Sequence, residues 1–217
     1  MKKLIVRKSQ EKRGPGYQLQ IHDNSVSLQD LIDGLDEYIV SGNAPRLWPE
    51  QLDACRGCHL CCHEPLPLTS IDVGRICKAT GTYFTGVFRY LQVEIQGRSV
   101  DITLKRPGGD CIFLSKQGTC KIYHDRPFLC HVYICCHVQE AVQEIYSEVV
   151  NQGMDELVRQ ALAAFAREGK QLPARRGSCR QVRPGDWRPN CFTGKQDYSQ
   201  LFMKDVLSSA LQKVLLV

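Results

Sequence analysis

The chain has 217 residues, 43% hydrophobic and 24% charged, which suits one globular domain with a real core and an appended helical lobe. Its longest early apolar run covers only residues 4–6, too short for a signal-peptide core, and no stretch approaches the ~18 apolar residues of a membrane span. The net charge of +5 falls largely in the ends and in residues 175–188, a solvated basic surface without the aromatic-basic interleaving of a nucleic-acid site.

The predicted elements run as follows. Residues 3–8 and 17–21 read as two strands around the turn signal RGPG at 13–16. Ser27 and Asp30 mark the N-cap of a helix that places Leu28, Leu31, Ile32, Leu35 and Ile39 on one face. The SGNAP stretch at 41–45 ends it and serves as a linker. A cysteine-bearing loop follows Trp48-Pro49, and Pro65 and Pro67 keep the next segment extended. Thr69 or Ser70 caps a short helix that Gly81 stops. Residues 93–104 read as strands around Gly97, and Arg106-Pro107-Gly108-Gly109 as a turn.

Residues 111–114 and 119–123 are expected to pair as a tight hairpin, which would bring Cys111 and Cys120 together. Arg126-Pro127 opens a helical start presenting Cys130. Val138, Val142, Ile145 and Val149 form an apolar stripe, continued after Gly153 by Leu157, Val158, Ala161, Leu162 and Phe165. A further stripe is expected from Phe202, Val206, Ala210 and Val214. The expected fold is α+β and mostly helical: a small cysteine-rich metal-binding core with a β-hairpin, then long C-terminal helices. The expected division is residues 1–49 as hairpin and amphipathic helix, 50–137 as the cysteine-cluster domain, and 138–217 as a helical region packed on it.

Twelve cysteines dominate the chemistry. Cys55, Cys58, Cys61 and Cys62 stand in the run CRGCHLCC, whose spacing lets one short loop wrap its sulfurs around a single centre. Cys111, Cys120 and Cys130 form a second set, with Cys135 and Cys136 close behind. In a cytoplasmic protein, the expected location here, thiols stay reduced and clustered cysteines point to metal. The C-x-x-C-x-x-C run is like the first three ligands of a [4Fe–4S] site, and its C-x-x-C pairs also suit zinc. Adjacent Cys61 and Cys62 rarely both reach one ion with relaxed geometry, so one faces a second centre or stands spare.

These motifs together resemble the YkgJ-type CxxCxxCC family of zinc- or iron-chelating proteins. Its pattern is C-x-x-C-x-x-C-C, then C-x-x-L, a G-x-C-x-I-Y turn and R-P-x-x-C-R-x-Y-P. Cys55, Cys58, Cys61 and Cys62 match the first part. Cys111-Ile112-Phe113-Leu114, Gly118-Thr119-Cys120-Lys121-Ile122-Tyr123 and Arg126-Pro127-Phe128-Leu129-Cys130 match the rest. The resemblance covers about residues 50–136 and implies these seven cysteines as ligands. The chain departs from it at His131, where the family has Arg, and at Ile134-Cys135-Cys136, where it has Pro; these changes add two thiols and, with His137, two imidazoles.

Cys77 is expected to be a small core residue, Cys135 and Cys136 extra ligands or packing residues, and Cys179 and Cys191 isolated thiols rather than a redox pair. His59 and His63 flank the run as supporting donors or surface residues. His124 is expected to cap or hydrogen-bond its turn, Arg126 to answer a buried carboxylate or the negative charge of the cluster, and Tyr123 and Tyr133 to pack. No Ser-His-Asp order, P-loop, dinucleotide-binding glycine loop or HExxH is present, so no catalytic residue is assigned.

Seven thiols exceed the four that one zinc needs and could hold one [4Fe–4S] cluster plus a spare set, or two zinc ions; the expected cofactor is the iron–sulfur cluster, with zinc as the alternative. The expected function is a cluster- or metal-binding protein in a structural or electron-transfer role, working with a protein partner, without a membrane or nucleic acid. The alternatives are a metal storage or delivery protein and a cluster-dependent group-transfer enzyme, the latter implied by the resemblance to the flagellin lysine methylase.

Overall fold

A computed structural model describes residues 2–12, 14–42, 44, 59–133, 137–175 and 182–215. Cys55, Cys58, Cys135, Cys136 and Cys179 lie outside the described residues, and so do Trp48 and Pro49. The chain is α+β and mostly helical. It forms two compact units: residues 1–58, 131–149 and 195–217 in the first, residues 59–130 and 150–194 in the second.

In the first unit, strands β1 (Leu4–Glu11) and β2 (Gly14–Ile21) pair antiparallel in a register running from Leu4 with Ile21 to Glu11 with Gly14. The hairpin is longer than its sequence signal: Gly14, Pro15 and Gly16 belong to β2 itself, pairing with Glu11, Gln10 and Ser9. Helix α1 (Leu28–Val40) starts with a capping box. The Asp30 N–H donates to Ser27 Oγ at 3.1 Å, and the Ser27 N–H donates to Asp30 Oδ2 at 2.8 Å. These bonds satisfy two helix-end donors that would otherwise lack partners. Leu28, Leu31, Ile32 and Leu35 are buried as expected; Tyr38 is buried with them, while Ile39 is half-buried.

The second unit holds helix α2 (Ser70–Thr80) and the antiparallel pair β3 (Leu91–Gln96) and β4 (Ser99–Leu104). Thr69 caps α2, and Gly81 ends it in the left-handed conformation at φ 62°. Helix α3 (Phe128–Val132) begins in this unit and ends in the first. Strand β5 (His137–Val138) joins β2 in parallel and completes a three-stranded sheet.

The long helix expected after residue 137 is α4 (Glu140–Arg167), 28 residues without a break at Gly153. Residues 140–149 of α4 bury Val142, Ile145 and Val149 in the first unit; residues 150–167 bury Leu157, Val158 and Ala161 in the second. Gly153 is a site of close approach. A Cβ there would stand 2.5 Å from Thr69 Cβ and Cγ2 and 3.1 Å from Phe192 Cε1.

The helices beyond α4 are short: α5 (Met203–Val206) and α6 (Ser209–Leu215). The stripe expected from Phe202, Val206, Ala210 and Val214 is corrected. Phe202 and Ala210 are exposed, the Val214 side chain lies outside the description, and the buried set is Met203, Val206, Leu207 and Leu211. The chain extends at Leu207 (φ −87°, ψ 144°), which breaks the helical period. Ser208 then receives the Gln212 N–H on its carbonyl at 3.1 Å and donates its own N–H to Glu148 at 2.6 Å.

The cysteine-bearing segment is no bare loop. Leu68, Val73 and Ile76 of α2, Val93, Ile95, Ile102 and Leu104 of the strands, and Phe113 and Ile122 form one core with Met154, Leu157, Val158, Ala161 and Phe165 of α4. Each fully buried aliphatic side chain contributes roughly 1.5–3 kcal/mol, so this core rivals the about 10–16 kcal/mol that zinc supplies to a zinc finger.

Candidate metal centre

Three short pieces of the second unit carry five of the seven described cysteines. The first is a 3-10 turn, Leu60–His63, closed by the Cys62 N–H donating to His59 O at 2.9 Å. It bears Cys61 and Cys62. The second joins the first through the Cys111 N–H, which donates to Cys62 O at 2.9 Å. From Cys111 the chain folds back antiparallel. Lys121 N–H donates to Phe113 O and Ser115 N–H to Thr119 O, at 2.9 and 2.8 Å. Only the single bridge Leu114–Cys120 forms where a longer hairpin was expected, and it still brings Cys120 back beside Cys111.

The third piece is the start of α3. The Cys130 N–H donates to Pro127 O at 2.9 Å. Asp72, fully buried in the first turn of α2, holds this start in place.

The sulfurs feel one another's charge. Hydrogen bonding to the neighbouring Cys62 thiol, offset in part by burial and aided by the charge of Arg126, lowers the Cys61 thiol to about 7. The same bond, burial and the charges of Cys61, Cys111 and Cys130 push Cys62 far up. Burial raises Cys111, and the charges of Cys120 and Cys61 add to it. Burial raises Cys120 as well, with Cys61 adding and Arg126 opposing. Cys130 is raised furthest among this second set, by burial and then by Cys61, Asp72, Cys111 and Cys120.

Against this, the backbone N–H groups of Phe113 and Ile122 favour the charged forms of Cys111 and Cys120, while the Leu114 N–H donates to the Cys111 carbonyl at 2.8 Å. Five partly buried thiols cannot all ionise side by side without a cation, yet two of them already receive the donors a thiolate wants. That donor set fits a soft or borderline cation, which holds thiols deprotonated outright. Among the described residues, no three His, Cys, Asp or Glu side chains form a ready metal-holding group.

Cys61, Cys62, Cys111, Cys120 and Cys130 therefore lie within reach of one another's charge without forming a ready metal-holding group among the described residues. Cys77 packs against the hydrophobic core, as expected of a small core residue. Cys191 donates its S–H to Gln152 Oε1 at 2.9 Å, away from these sulfurs. Arg126 acts on the charge of Cys61 and Cys120, and its guanidinium lies 4.3 Å from the Tyr123 ring centre. Tyr123 packs against Arg126 at the surface, and Tyr133 is exposed. His124 meets the Tyr123 ring edge-on. His131, where the resemblance has Arg, is buried with its Nδ1 on Asp36 Oδ2 at 3.1 Å.

Two features were beyond sequence reasoning. One is Asp72, whose position at N3 of α2 predicts a cap and nothing more. The other is a chain of side chains from Asp110 through His63 to His59, built by residues that local spacing does not join.

Comparison with known families gives one match. Residues 54–144 match the model of the CxxCxxCC family, described as "Putative zinc- or iron-chelating domain". The matched stretch takes in all seven cysteines of the two sets. No curated protein and no solved structure gives a significant match. Among the described residues, no helix is long and apolar enough to cross a membrane.

Proposed function

We propose that Cys55, Cys58, Cys61, Cys62, Cys111, Cys120 and Cys130 hold an iron–sulfur cluster of the [4Fe–4S] type, in a structural or electron-transfer role in the cytoplasm, with a protein as its partner. The reach of Cys61, Cys62, Cys111, Cys120 and Cys130 to one another's charge, with backbone donors favouring the charged forms of two of them, carries this reading. The family match to a zinc- or iron-chelating domain supports metal binding as such. Zinc is the second reading: seven thiols could hold one [4Fe–4S] cluster with a spare set or two zinc ions, and the C-x-x-C-x-x-C run favours the cluster. When bound, a cluster supplies one-electron chemistry whose potential responds to hydrogen bonds at sulfur. The N–H groups of Phe113 and Ile122, which favour the charged forms of Cys111 and Cys120, would contribute to that tuning.

Anaerobic purification followed by metal and acid-labile sulfide analysis tests the reading. Iron and sulfide in equal amounts, with a brown oxygen-sensitive chromophore, is the expected result. A colourless protein carrying zinc and no sulfide rejects the cluster and keeps the thiol centre. A protein that binds neither metal through sulfur rejects both.

A further inference from the structure

His63 lies between two partners. Its Nδ1 is 2.8 Å from Asp110 Oδ1, and its Nε2 is 3.2 Å from His59 Nδ1. A carboxylate only accepts, so Nδ1 of His63 carries the proton and Nε2 presents a lone pair. His59 Nδ1 then donates to that lone pair. Carboxylate, imidazole and a bare Nε2 form the arrangement that orients histidine ligands in metal sites. The 3.2 Å spacing of the two nitrogens has a second meaning. Two imidazole nitrogens sharing a tetrahedral zinc at ~2.0–2.1 Å stand about 3.3 Å apart.

The surroundings fix this pair in place. His59 and His63 bracket the 3-10 turn that carries Cys61 and Cys62. Arg106 donates to the His63 carbonyl, and the Cys111 N–H donates to Cys62 O, so Asp110 reaches His63 across two pinned strands of chain. The turn at Gly118 (φ +75°) lies against the His59 ring: a Cβ there would come within 3.1 Å of its Cδ2. Both His63 and Asp110 remain open to solvent, with side chains 42% and 56% exposed.

We propose that His59 and His63, oriented by Asp110, form a two-imidazole capture site that takes a divalent zinc- or iron-class cation from solution and passes it to the thiols of Cys61 and Cys62. The proposal rests on the thiol-centre reading above. The ion replaces the shared hydrogen bond, and His59 keeps its single proton by moving it from Nδ1 to Nε2 through solvent. On transfer, each thiol that takes the ion gives its proton to solvent, and no electron moves. Two protein ligands hold an exchangeable ion and not a stored one, since among the described residues no third such side chain completes a metal-holding group there.

The test is the rate of Co(II) uptake by reduced, metal-free full-length protein, followed by cobalt–thiolate absorbance. The wild type is compared with His59→Ala/His63→Ala and with Asp110→Ala. The double variant is expected to reach the same final thiolate signal but roughly tenfold more slowly, with Asp110→Ala in between, in line with the 10–100-fold cost of losing outer-shell support. Equal rates with a full final signal would overturn the capture site and leave the thiol centre standing. No thiolate signal in the wild type would reject the thiol centre itself, and the capture site with it. If the double variant folds poorly, the surface change Asp110→Ala decides alone, and an unchanged rate overturns the proposal.

Discussion

The carboxylate of Asp72 accepts the backbone N–H of Phe128 at 2.7 Å, across 56 positions of sequence. Its other oxygen accepts the Thr69 N–H at 2.9 Å and closes the capping box of α2. One buried side chain therefore sets both the start of α2 and the first turn of α3, two residues before Cys130. Asp72→Ala removes both acceptors in a buried place. It should cost roughly 2–5 kcal/mol, since each buried donor left without its acceptor costs about 1–3 kcal/mol. Asp72→Asn keeps the acceptor oxygen for one donor and should fall in between. Denaturant titration checks the stability, and metal content of each variant checks whether Cys130 has lost its place.

Removing the metal should leave most of the second unit folded. Its core joins α2, β3 and β4 to residues 154–165 of α4 through apolar side chains, with Cys111 and Cys120 only packed against its edge. A chelator-treated protein should keep its helical circular dichroism and gain protease cleavage only near residues 59–63 and 111–130. Loss of the whole helical signal would show that metal ligation, not apolar burial, supports the unit. Cys58→Ser should abolish metal binding, while Cys77→Ala, a change against the core, should leave metal content near normal.

Gly153→Ala should destabilise the protein although alanine is the better helix former. The helix gains about 1 kcal/mol from the exchange. The new Cβ would meet Thr69 at 2.5 Å, and overpacking of this kind costs about 1–3 kcal/mol. Adding Thr69→Ser removes the Cγ2 methyl, keeps the hydroxyl cap and should restore part of the loss. Thermal melts of the single and double variants measure the difference.

Glu156 links stability to pH. Burial pushes its carboxyl up, but hydrogen bonds from Arg159, Gln160 and Thr193, with the charge of Arg159, outweigh burial and hold it below its ordinary value. A depressed carboxylate stabilises the fold fully above its unfolded pKa of about 4.3, and that stability is lost as pH falls through the lower folded value. Unfolding monitored from pH 6 to pH 2, both about as far as such titrations reach around that value, should therefore steepen below about pH 4.3. Glu156→Gln should flatten this acid limb and cost roughly 1.5–3 kcal/mol at neutral pH. An unchanged acid limb in the variant would remove Glu156 from the account.

Local signals in the sequence carried far. Ser27 with Asp30, Thr69 with Gly81, and Gly97 between β3 and β4 each act where their side-chain or backbone chemistry acts, within a few residues. The spacing of Cys61, Cys62, Cys111, Cys120 and Cys130 marks them as ligand candidates, but how near their sulfurs come to one another is set by the fold and not by that spacing. The sequence shows only that the apolar stripe resumes after Gly153; the reason glycine stands there, Thr69, lies 84 positions away. The C-terminal stripe failed for a similar cause. Ser208 answers Glu148, and that contact resets the helical period beyond Leu207. Asp72 and Asp110 were invisible as organisers because each works on a partner fixed by folding alone.

The interleaving of the chain has a consequence for synthesis. The first unit needs residues 195–217 as well as 1–58, and Leu28 N–H waits for Leu201 O at 2.8 Å. The second needs residues 150–165 to close over the strands that carry the thiol turns. A ribosome therefore releases the early hairpin, α1 and every cysteine up to Cys136 before either unit can finish its core. During that interval the nascent segment exposes reduced thiols and apolar strands together, the combination most open to wrong disulfides and aggregation. The matched stretch 54–144, expressed alone, would remain in that state, because it ends before residues 154–165 of α4 that complete its core.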